Sequence, residues 1–155
     1  MLLLHPKLRG GYDLVKSDGT RIGTKVITNF YSYWRDPVVL RRRVGMSFVS
    51  AIIFGGYKSS TTGSKPWITD GTSAGTQMLK GIRQGSSSGY CMRPLAVSGK
   101  VLFWANDGKG YALWGTAGSP ATAVKIGTPL GWTGQSSWNS PIALGAKALF
   151  GGPGG

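Results

Sequence analysis

The chain has 155 residues, of which 41% are apolar, so it is long enough for one domain with a core and is not typical of a disordered chain. Its 18 Lys and Arg stand against only five acidic residues, and the formal net charge of +13 indicates a polyanionic neighbour or an assembly that neutralises it. A single cysteine excludes an intrachain disulfide, and a single histidine argues against a zinc site. Glycines spread among aromatic and β-branched residues, with no Glu in the chain, indicate an all-β fold.

The N-terminal part of the chain predicts a tail followed by a first repeat. Residues 1–11 include Lys7 and Arg9 and show no periodicity, so we expect a basic tail that is solvated or bound to a partner. The first repeat is predicted over residues 12–64. It opens with a short strand, an Asp18-Gly19-Thr20 turn and a second strand, because Asp-Gly between apolar runs is a turn signal.

The middle of the first repeat combines aromatic residues with arginines. Tyr31, Tyr33 and Trp34 are predicted to lie in a loop, where aromatic side chains can stack on sugars or bases or anchor a protein partner. The nearby arginines are Arg35, Arg41, Arg42 and Arg43. Burying such charges is costly, so they should face solvent or a phosphate-bearing partner. Two interpretations stay open, a solvated surface and a polyanion-binding site that also includes Lys7 and Arg9.

The second repeat, predicted over residues 65–111, has the clearest pattern. Its Asp70-Gly71-Thr72 turn separates a strand ending near Trp67 from a second strand that begins at Thr76. After a Ser- and Gly-rich loop, a hairpin leads into the strand Val101-Leu102-Phe103-Trp104-Ala105. Both alternating sets of residues in that strand are apolar, which predicts that neighbouring sheets cover both of its faces.

A third, degraded copy of the repeat is predicted over residues 112–150. Its turn reads Ala117-Gly118-Ser119, without the aspartate of the other copies. A loop in this copy contains Trp132 and Trp138, which we count with the loop aromatics as candidate partner contacts. Residues 151–155 are predicted to be a Gly- and Pro-rich tail.

Three sets of landmark residues place the copies in a common register. The sets are Asp18, Asp70 and Ala117; Pro37, Pro94 and Pro141; and Gly45, Gly99 and Gly145. A period of roughly 50 residues with four short strands per unit is the signature of a propeller blade or a related β array, because one four-stranded sheet cannot cover its own faces. We therefore predict about three four-stranded antiparallel repeats. Closed propellers typically have about four to eight blades, so the ring is expected to be incomplete unless other chains complete it.

The motifs in these copies resemble a known repeat family. The pattern has Leu-Trp two residues before Ser/Thr-Asp-Gly-Thr, and then Gly-Thr, a Val/Leu pair, a Ser/Gly-rich loop and a proline. A later strand reads Gly-x-x-Leu-Phe-x-Ala-x-Asp-Gly. This pattern resembles the bacterial ELWxxDGTxxGT repeat proteins, and the match is good over residues 67–79 and 94–114. The first copy departs from it at Val15, where Trp is usual, and the third at Ala117 and Ser119. The resemblance implies propeller-forming modules and supplies no catalytic residues.

The cellular setting is left open by the sequence. The resemblance implies a secreted or surface protein, yet no signal peptide is recognisable and the strong basic charge also fits an intracellular or organellar complex. Apolar runs reach only the length of a strand, so no membrane span is predicted.

The sequence predicts no catalytic residue, metal site or cofactor. His5 lies in the predicted tail, Cys91 has no evident base partner, and the absence of Glu removes the usual paired carboxylates. The Asp18-Gly19-Thr20 and Asp70-Gly71-Thr72 turns are interpreted as structural, since Asp accepts local backbone N–H groups and Gly takes positive φ. A calcium site is the alternative, but Ca²⁺ needs about six to eight oxygen ligands and no second carboxylate lies nearby in sequence.

Three functions are compatible with these patterns. The leading hypothesis is a non-enzymatic scaffold or structural protein that acts through protein–protein contacts, by self-association or on other subunits, because three blades do not close a ring. The second is a basic structural subunit that binds RNA or another polyanion within a ribonucleoprotein-type complex. The third is a carbohydrate-binding module that uses the loop aromatics.

Overall fold

The regular structure of the chain is almost entirely β-strand, which confirms the predicted all-β class. The computed structural model describes residues 2–7, 10–128 and 141–150. Their strands form four antiparallel sheets of three, four, four and two strands, and a 3-10 helix of three residues is the one helical segment described. No helix in those three ranges has the length and hydropathy needed to cross a bilayer. Two of the sheets therefore have the four strands that the repeat predicted.

The first sheet contains three strands, β1 (Leu2–Pro6), β2 (Tyr12–Lys16) and β3 (Lys25–Phe30), in that order. The prediction of an N-terminal tail without secondary structure is therefore wrong, because β1 pairs with β2 along its whole length. Gly10 and Gly11, both at positive φ, make the reversal, and the Lys7 N–H donates to the Gly11 carbonyl at 3.0 Å. Pro6 is tolerated because β1 is an edge strand. The Gly-Gly pair was the turn signal for this hairpin.

The second sheet contains β4 (Ser32–Val44), β5 (Ser47–Tyr57), β6 (Ser64–Thr69) and β7 (Gln77–Met78), paired in chain order. The loop predicted for Tyr33 and Trp34 is wrong, because both residues lie in β4, as Arg35 does. Ser32 already pairs with Tyr57, so the backbone of this segment is part of the ladder with β5. Aromatic residues favour a pleated strand, and that preference prevails here.

The third sheet contains β8 (Met92–Val97), β9 (Lys100–Asn106), β10 (Tyr111–Thr116) and β11 (Val124–Gly127), with the 3-10 helix Pro120–Thr122 between the last two. The final hairpin consists of β12 (Ile142–Leu144) and β13 (Lys147–Leu149). Trp132 and Trp138 lie outside the described residues, as do residues 151–155.

The sheets are offset from the sequence repeats by half a unit. The second sheet takes β4 and β5 from the first copy and β6 and β7 from the second. The third sheet in the same way takes β8 and β9 from the second copy and β10 and β11 from the third. Each junction between copies is therefore a pair of hydrogen-bonded strands inside a sheet.

Two apolar layers separate the sheets. The larger layer, between the second and third sheets, contains Leu40, Ile53, Ile68, Leu79, Ile82, Cys91, Val101, Phe103, Ala105, Ala112, Trp114 and Ala123. The smaller layer, between the first and second sheets, contains Leu14, Ile27, Phe30, Phe54 and Trp67. On the far side of the third sheet Trp104 meets Phe150 edge to face, with ring centroids 5.7 Å apart. Since Phe103 is also buried, both faces of β9 are covered, as predicted.

Successive sheets converge at the landmark prolines. Pro37, Pro94 and Pro141 line one cavity of about 200 Å³ together with Asp36 and Arg93. Asp36 and Arg93, each directly before a proline, have positive φ (49° and 47°), and the strand register shifts at both places. The first strands of the second and third sheets thus bend in the same way where they meet.

The register of β4 predicts that truncating two adjacent side chains, Leu40 and Val39, will lower stability by different amounts. Leu40 is 1% exposed and lies in the larger apolar layer, whereas Val39 is 49% exposed. Leu40→Ala should lower the free energy of unfolding by about 2 to 5 kcal/mol, and Val39→Ala by about 0.5 kcal/mol or less. Urea unfolding measures both values. The reverse order would show that β4 is slipped by one residue, because such a slip exchanges its faces.

Candidate functional site

The turn in the second copy is a closed set of local hydrogen bonds. Asp70 Oδ1 accepts the N–H of Thr72 at 2.8 Å and the Thr72 hydroxyl at 2.7 Å. The Thr72 hydroxyl also accepts the N–H of Gly75 at 2.9 Å, and the Thr76 hydroxyl donates to the Thr72 carbonyl at 2.6 Å. These contacts hold the strand that ends at Thr69 against the one that follows.

The first copy repeats this turn closely. Asp18 accepts the N–H and the hydroxyl of Thr20 at 2.9 and 2.8 Å, and the Thr20 hydroxyl accepts the N–H of Gly23 at 3.0 Å. A Cβ added to Gly23 would lie 2.0 Å from an oxygen of the Asp18 carboxylate. At Gly75 the corresponding distance to Asp70 is 2.1 Å. The second glycine of the motif is therefore required by the space that the aspartate occupies.

The third copy keeps the turn with different donors and acceptors. Ala117 stands where the aspartate was, and Ala121 stands directly before the terminal threonine, where the other copies have glycine. The hydroxyl of Thr122 now accepts the N–H groups of Ala117 at 3.0 Å and Ser119 at 3.2 Å. Aspartate and glycine are absent together, which fits the steric dependence of one on the other.

An open cleft of about 670 Å³ lies between the first two turns, and Lys16, Lys25, Asp18 and Asp70 are among the residues that line it. Hydrogen bonds from Thr20 lower the pKa of Asp18. The Thr72 hydroxyl, and to a smaller extent the charge of Lys16, lower the pKa of Asp70. Both carboxylates are thus ionised and held by their own turns. They have structural partners, and neither is poised as a general acid.

Two residues were considered for catalysis, Cys91 and His5. Cys91 lies in the larger apolar layer, whereas His5 lies in the first sheet. Cys91 is 2% exposed, and burial raises the pKa of its thiol well above the ordinary value. A protonated, inaccessible thiol is not a nucleophile, so Cys91 serves packing. His5 lies exposed in β1. In the described part of the chain, no three His, Cys, Asp or Glu side chains come together as metal ligands would.

Three of the predicted arginines, Arg41, Arg42 and Arg43, lie in the part of the β4–β5 hairpin that projects beyond the sheet. β4 and β5 have 13 and 11 residues, whereas the equivalent β8 and β9 have 6 and 7. The next strand, β6, pairs with β5 only from Ile52 onward, so residues 41–50 form a two-stranded extension beyond the sheet. We call residues 41–50 the β4–β5 arm. Every residue of the arm whose burial is described is exposed.

Positive charge and apolar surface lie together on the β4–β5 arm. Arg41, Arg42 and Arg43 of β4 pair with Ser50, Val49 and Phe48 of β5, respectively. Phe48 is 77% exposed, and Met46 at the tip is 95% exposed. Arg43 Nε donates to the carbonyl of Gly45 at 3.0 Å, which holds that guanidinium along the arm. The sequence showed the arginines, but the exposure of Phe48 and Met46 became evident only from the length of the hairpin.

The other predicted polyanion contacts do not join this cluster. Lys7 forms an ion pair with Asp13 at 2.8 Å, in the first sheet. Arg35 lies six positions from Arg41 in β4 and pairs with Gly55 in the body of the second sheet. Arg9 lies outside the described residues. Of the predicted polyanion contacts, the described structure therefore brings Arg41, Arg42 and Arg43 together on one hairpin.

The structure shows the contacts of one candidate aromatic residue, Tyr31, and of two lysines, Lys58 and Lys65. Tyr31, in the bend before β4, is 62% exposed and meets Tyr57 edge to face at 5.2 Å. Lys58 lies with Lys7 along a cleft of about 540 Å³, and its Nζ is 5.0 Å from the centre of the Phe30 ring. Lys65 is buried and donates to the carbonyls of a loop. Neither lysine had a signal in the sequence, because both act through contacts distant along the chain.

The fold and these surfaces define an open all-β protein built from repeated units. Comparison of the chain with family models, with curated proteins and with solved structures finds no match.

The coupling of Asp70 and Gly75 is testable by a double-mutant cycle. Gly75→Ala should destabilise the protein by about 1 to 3 kcal/mol, because its Cβ would overlap the Asp70 carboxylate. Asp70→Ala should cost about 1 to 2 kcal/mol of hydrogen bonding. The double variant should cost less than the sum by about 1 kcal/mol, since removing the carboxylate makes room for the methyl group.

The control for this cycle is Gly81→Ala, where the added Cβ meets nothing nearer than Met78 Sδ at 3.9 Å. Gly81→Ala should leave stability nearly unchanged with or without Asp70. Additive costs for Asp70 and Gly75 in urea unfolding would refute the steric account of the motif.

Proposed function

We propose that this chain is a non-enzymatic β-repeat scaffold that acts through protein–protein contacts in a larger assembly. The observation that carries the proposal is the final hairpin, β12–β13, which has two strands and exposes large apolar side chains. The exposed fractions are 67% for Ile142, 62% for Leu144 and 53% for Leu149. An isolated two-stranded hairpin is marginally stable in water, so a partner that covers it would stabilise it.

The earlier copies indicate what the hairpin lacks. Leu144 occupies the repeat position of Leu40, three residues after the landmark proline. Leu149 occupies that of Ile53, because each pairs with the residue that directly follows the landmark proline. Leu40 and Ile53 are 1% and 0% exposed in the second sheet, which the third sheet covers, and their counterparts in the third sheet, Val97 and Leu102, are half-buried. These positions are therefore more exposed in the final hairpin than in either four-stranded sheet.

The missing contact is a strand at the edge of β13. In the complete sheets the equivalent strands β5 and β9 pair with β6 and β10, each from the following copy. In the described residues, β13 pairs with β12 alone. An open edge of this kind pairs readily with a strand from another chain. The partner that fits is a polypeptide with the same repeat, a second copy of this chain included, and the resemblance to ELWxxDGTxxGT repeat proteins favours the same conclusion.

The first test is the mass of the purified protein in solution. We expect a concentration-dependent mass above that of the 16.4 kDa monomer in analytical ultracentrifugation. The double variant Leu144→Lys with Leu149→Lys should be a folded monomer, because two charges on the apolar hairpin oppose its burial. The control variant Val124→Lys with Ile126→Lys changes exposed apolar residues of β11 and should associate as the wild type does.

A peptide tests the same surface for partners other than this chain. A labelled peptide of residues 64–79, which contains β6 and β7, should bind the wild type and not the Leu144→Lys, Leu149→Lys variant. A wild-type protein that is a folded monomer throughout the micromolar range, and that also fails to bind the peptide, would contradict the proposal.

A further inference from the structure

We infer that the β4–β5 arm binds single-stranded nucleic acid, with its arginines on phosphate groups and Phe48 stacked on a base. This inference goes beyond the scaffold proposal and is independent of it, because the arm belongs to the second sheet and the open edge to the final hairpin.

Arg41 and Arg43 of the arm have no carboxylate partner among the residues that the structure describes. From Pro37 to Tyr57 the sequence contains three arginines and no acidic residue. All five aspartates of the chain are engaged elsewhere, namely Asp13 with Lys7, Asp18 with Thr20, Asp36 with the N–H of Arg93, Asp70 with Thr72 and Asp107 with Lys125. The charges of Arg41 and Arg43 are therefore not neutralised within the described part of the chain. Guanidinium groups that lack a carboxylate partner can bind phosphate oxygens through paired N–H donors.

An aromatic ring accompanies the charge on the same face of the arm. Phe48 is directly opposite Arg43 across the hairpin, and residues opposite each other in an antiparallel pair share one face. The ring is 77% exposed, and Met46 and Val49 of the arm are exposed as well, so the hairpin displays a group of apolar side chains. Exposed rings beside a basic track are the platforms on which unpaired bases stack.

The pairing of these two features favours nucleic acid over an acidic protein. An acidic peptide offers carboxylates to Arg41 and Arg43, but it has no regular series of flat π surfaces for Phe48. A single strand offers phosphates and unstacked bases in alternation along one chain, and a duplex keeps its bases stacked. The formal charge of +13 on the whole molecule would attract such a strand to the arm.

The experiment measures binding of a fluorescein-labelled uridine oligonucleotide of about 20 residues to the full chain, by anisotropy over a series of salt concentrations. The triple variant Arg41→Gln, Arg42→Gln, Arg43→Gln should bind at least about tenfold more weakly at low salt. The slope of log K against log salt should become shallower by about 1.4, since Arg41 and Arg43 share the face of Phe48 and each phosphate contact on a single strand contributes about 0.7. Phe48→Ala should weaken binding about tenfold and leave the slope unchanged, because stacking releases no counterion.

The charge-matched control replaces three exposed lysines outside the arm, Lys100→Gln, Lys109→Gln and Lys147→Gln. This control should weaken binding less than about threefold, since it removes the same charge without touching the arm. The proposal is overturned if the wild type does not bind at low salt, or if the arm and control variants weaken binding equally. It is also overturned if Phe48→Ala has no effect while poly-glutamate competes as well as the oligonucleotide does, which would assign the arm to an acidic protein.

Discussion

Consecutive copies of the repeat are joined by backbone hydrogen bonds inside a sheet, and the rest of the structure depends on that pairing. Phe54 of β5 lies opposite Trp67 of β6, and the next pair is Ile53 opposite Ile68. Because side chains alternate along a strand, one register puts the first pair on one face and the second pair on the other. The first pair packs in the smaller apolar layer and the second in the larger one. A single register therefore determines both layers and the order of the sheets.

The hydrogen-bonded turns add a second constraint, because they fix where the chain reverses after the paired strands. Asp70 and its two threonine contacts form a reversal at the end of β6, and the short strand β7 follows. Nothing outside the turn takes part in these contacts, which is why the motif is readable in a single sequence. The third copy shows that the geometry survives without aspartate when a threonine hydroxyl takes over its backbone contacts. The motif that identifies the repeat is thus explained by local chemistry, and binding is better sought where the copies differ.

Features with a local cause were predictable, whereas features that depend on distant pairing were not. The all-β class, the turns and the two covered faces of β9 follow from patterns within a few residues. Tyr33 and Trp34 were predicted in a loop, because the strand that pairs with the flanking Ser32 and Arg35 comes about twenty residues later. Leu2–Pro6 was missed for a different reason, because its residues show no alternation of polar and apolar side chains although its partner strand follows directly. Arg41 to Arg43 were predicted to face solvent or phosphate, but the arm that displays them exists only because β6 stops pairing at Ile52.

The two proposals assign different roles to the places where the copies differ. The β12–β13 hairpin has two strands in the described residues, and its leucines are more exposed than their counterparts in the four-stranded sheets. The β4–β5 arm is an extension that the second copy lacks, and it brings positive charge and exposed apolar side chains together. The central claim is that another polypeptide completes the final sheet, and amide hydrogen exchange of residues 142–149 tests it most directly. The account predicts that protection of these amides rises with protein concentration or with added repeat peptide, while protection of β9 stays constant. Amides of β13 that exchange rapidly under all of these conditions would contradict it.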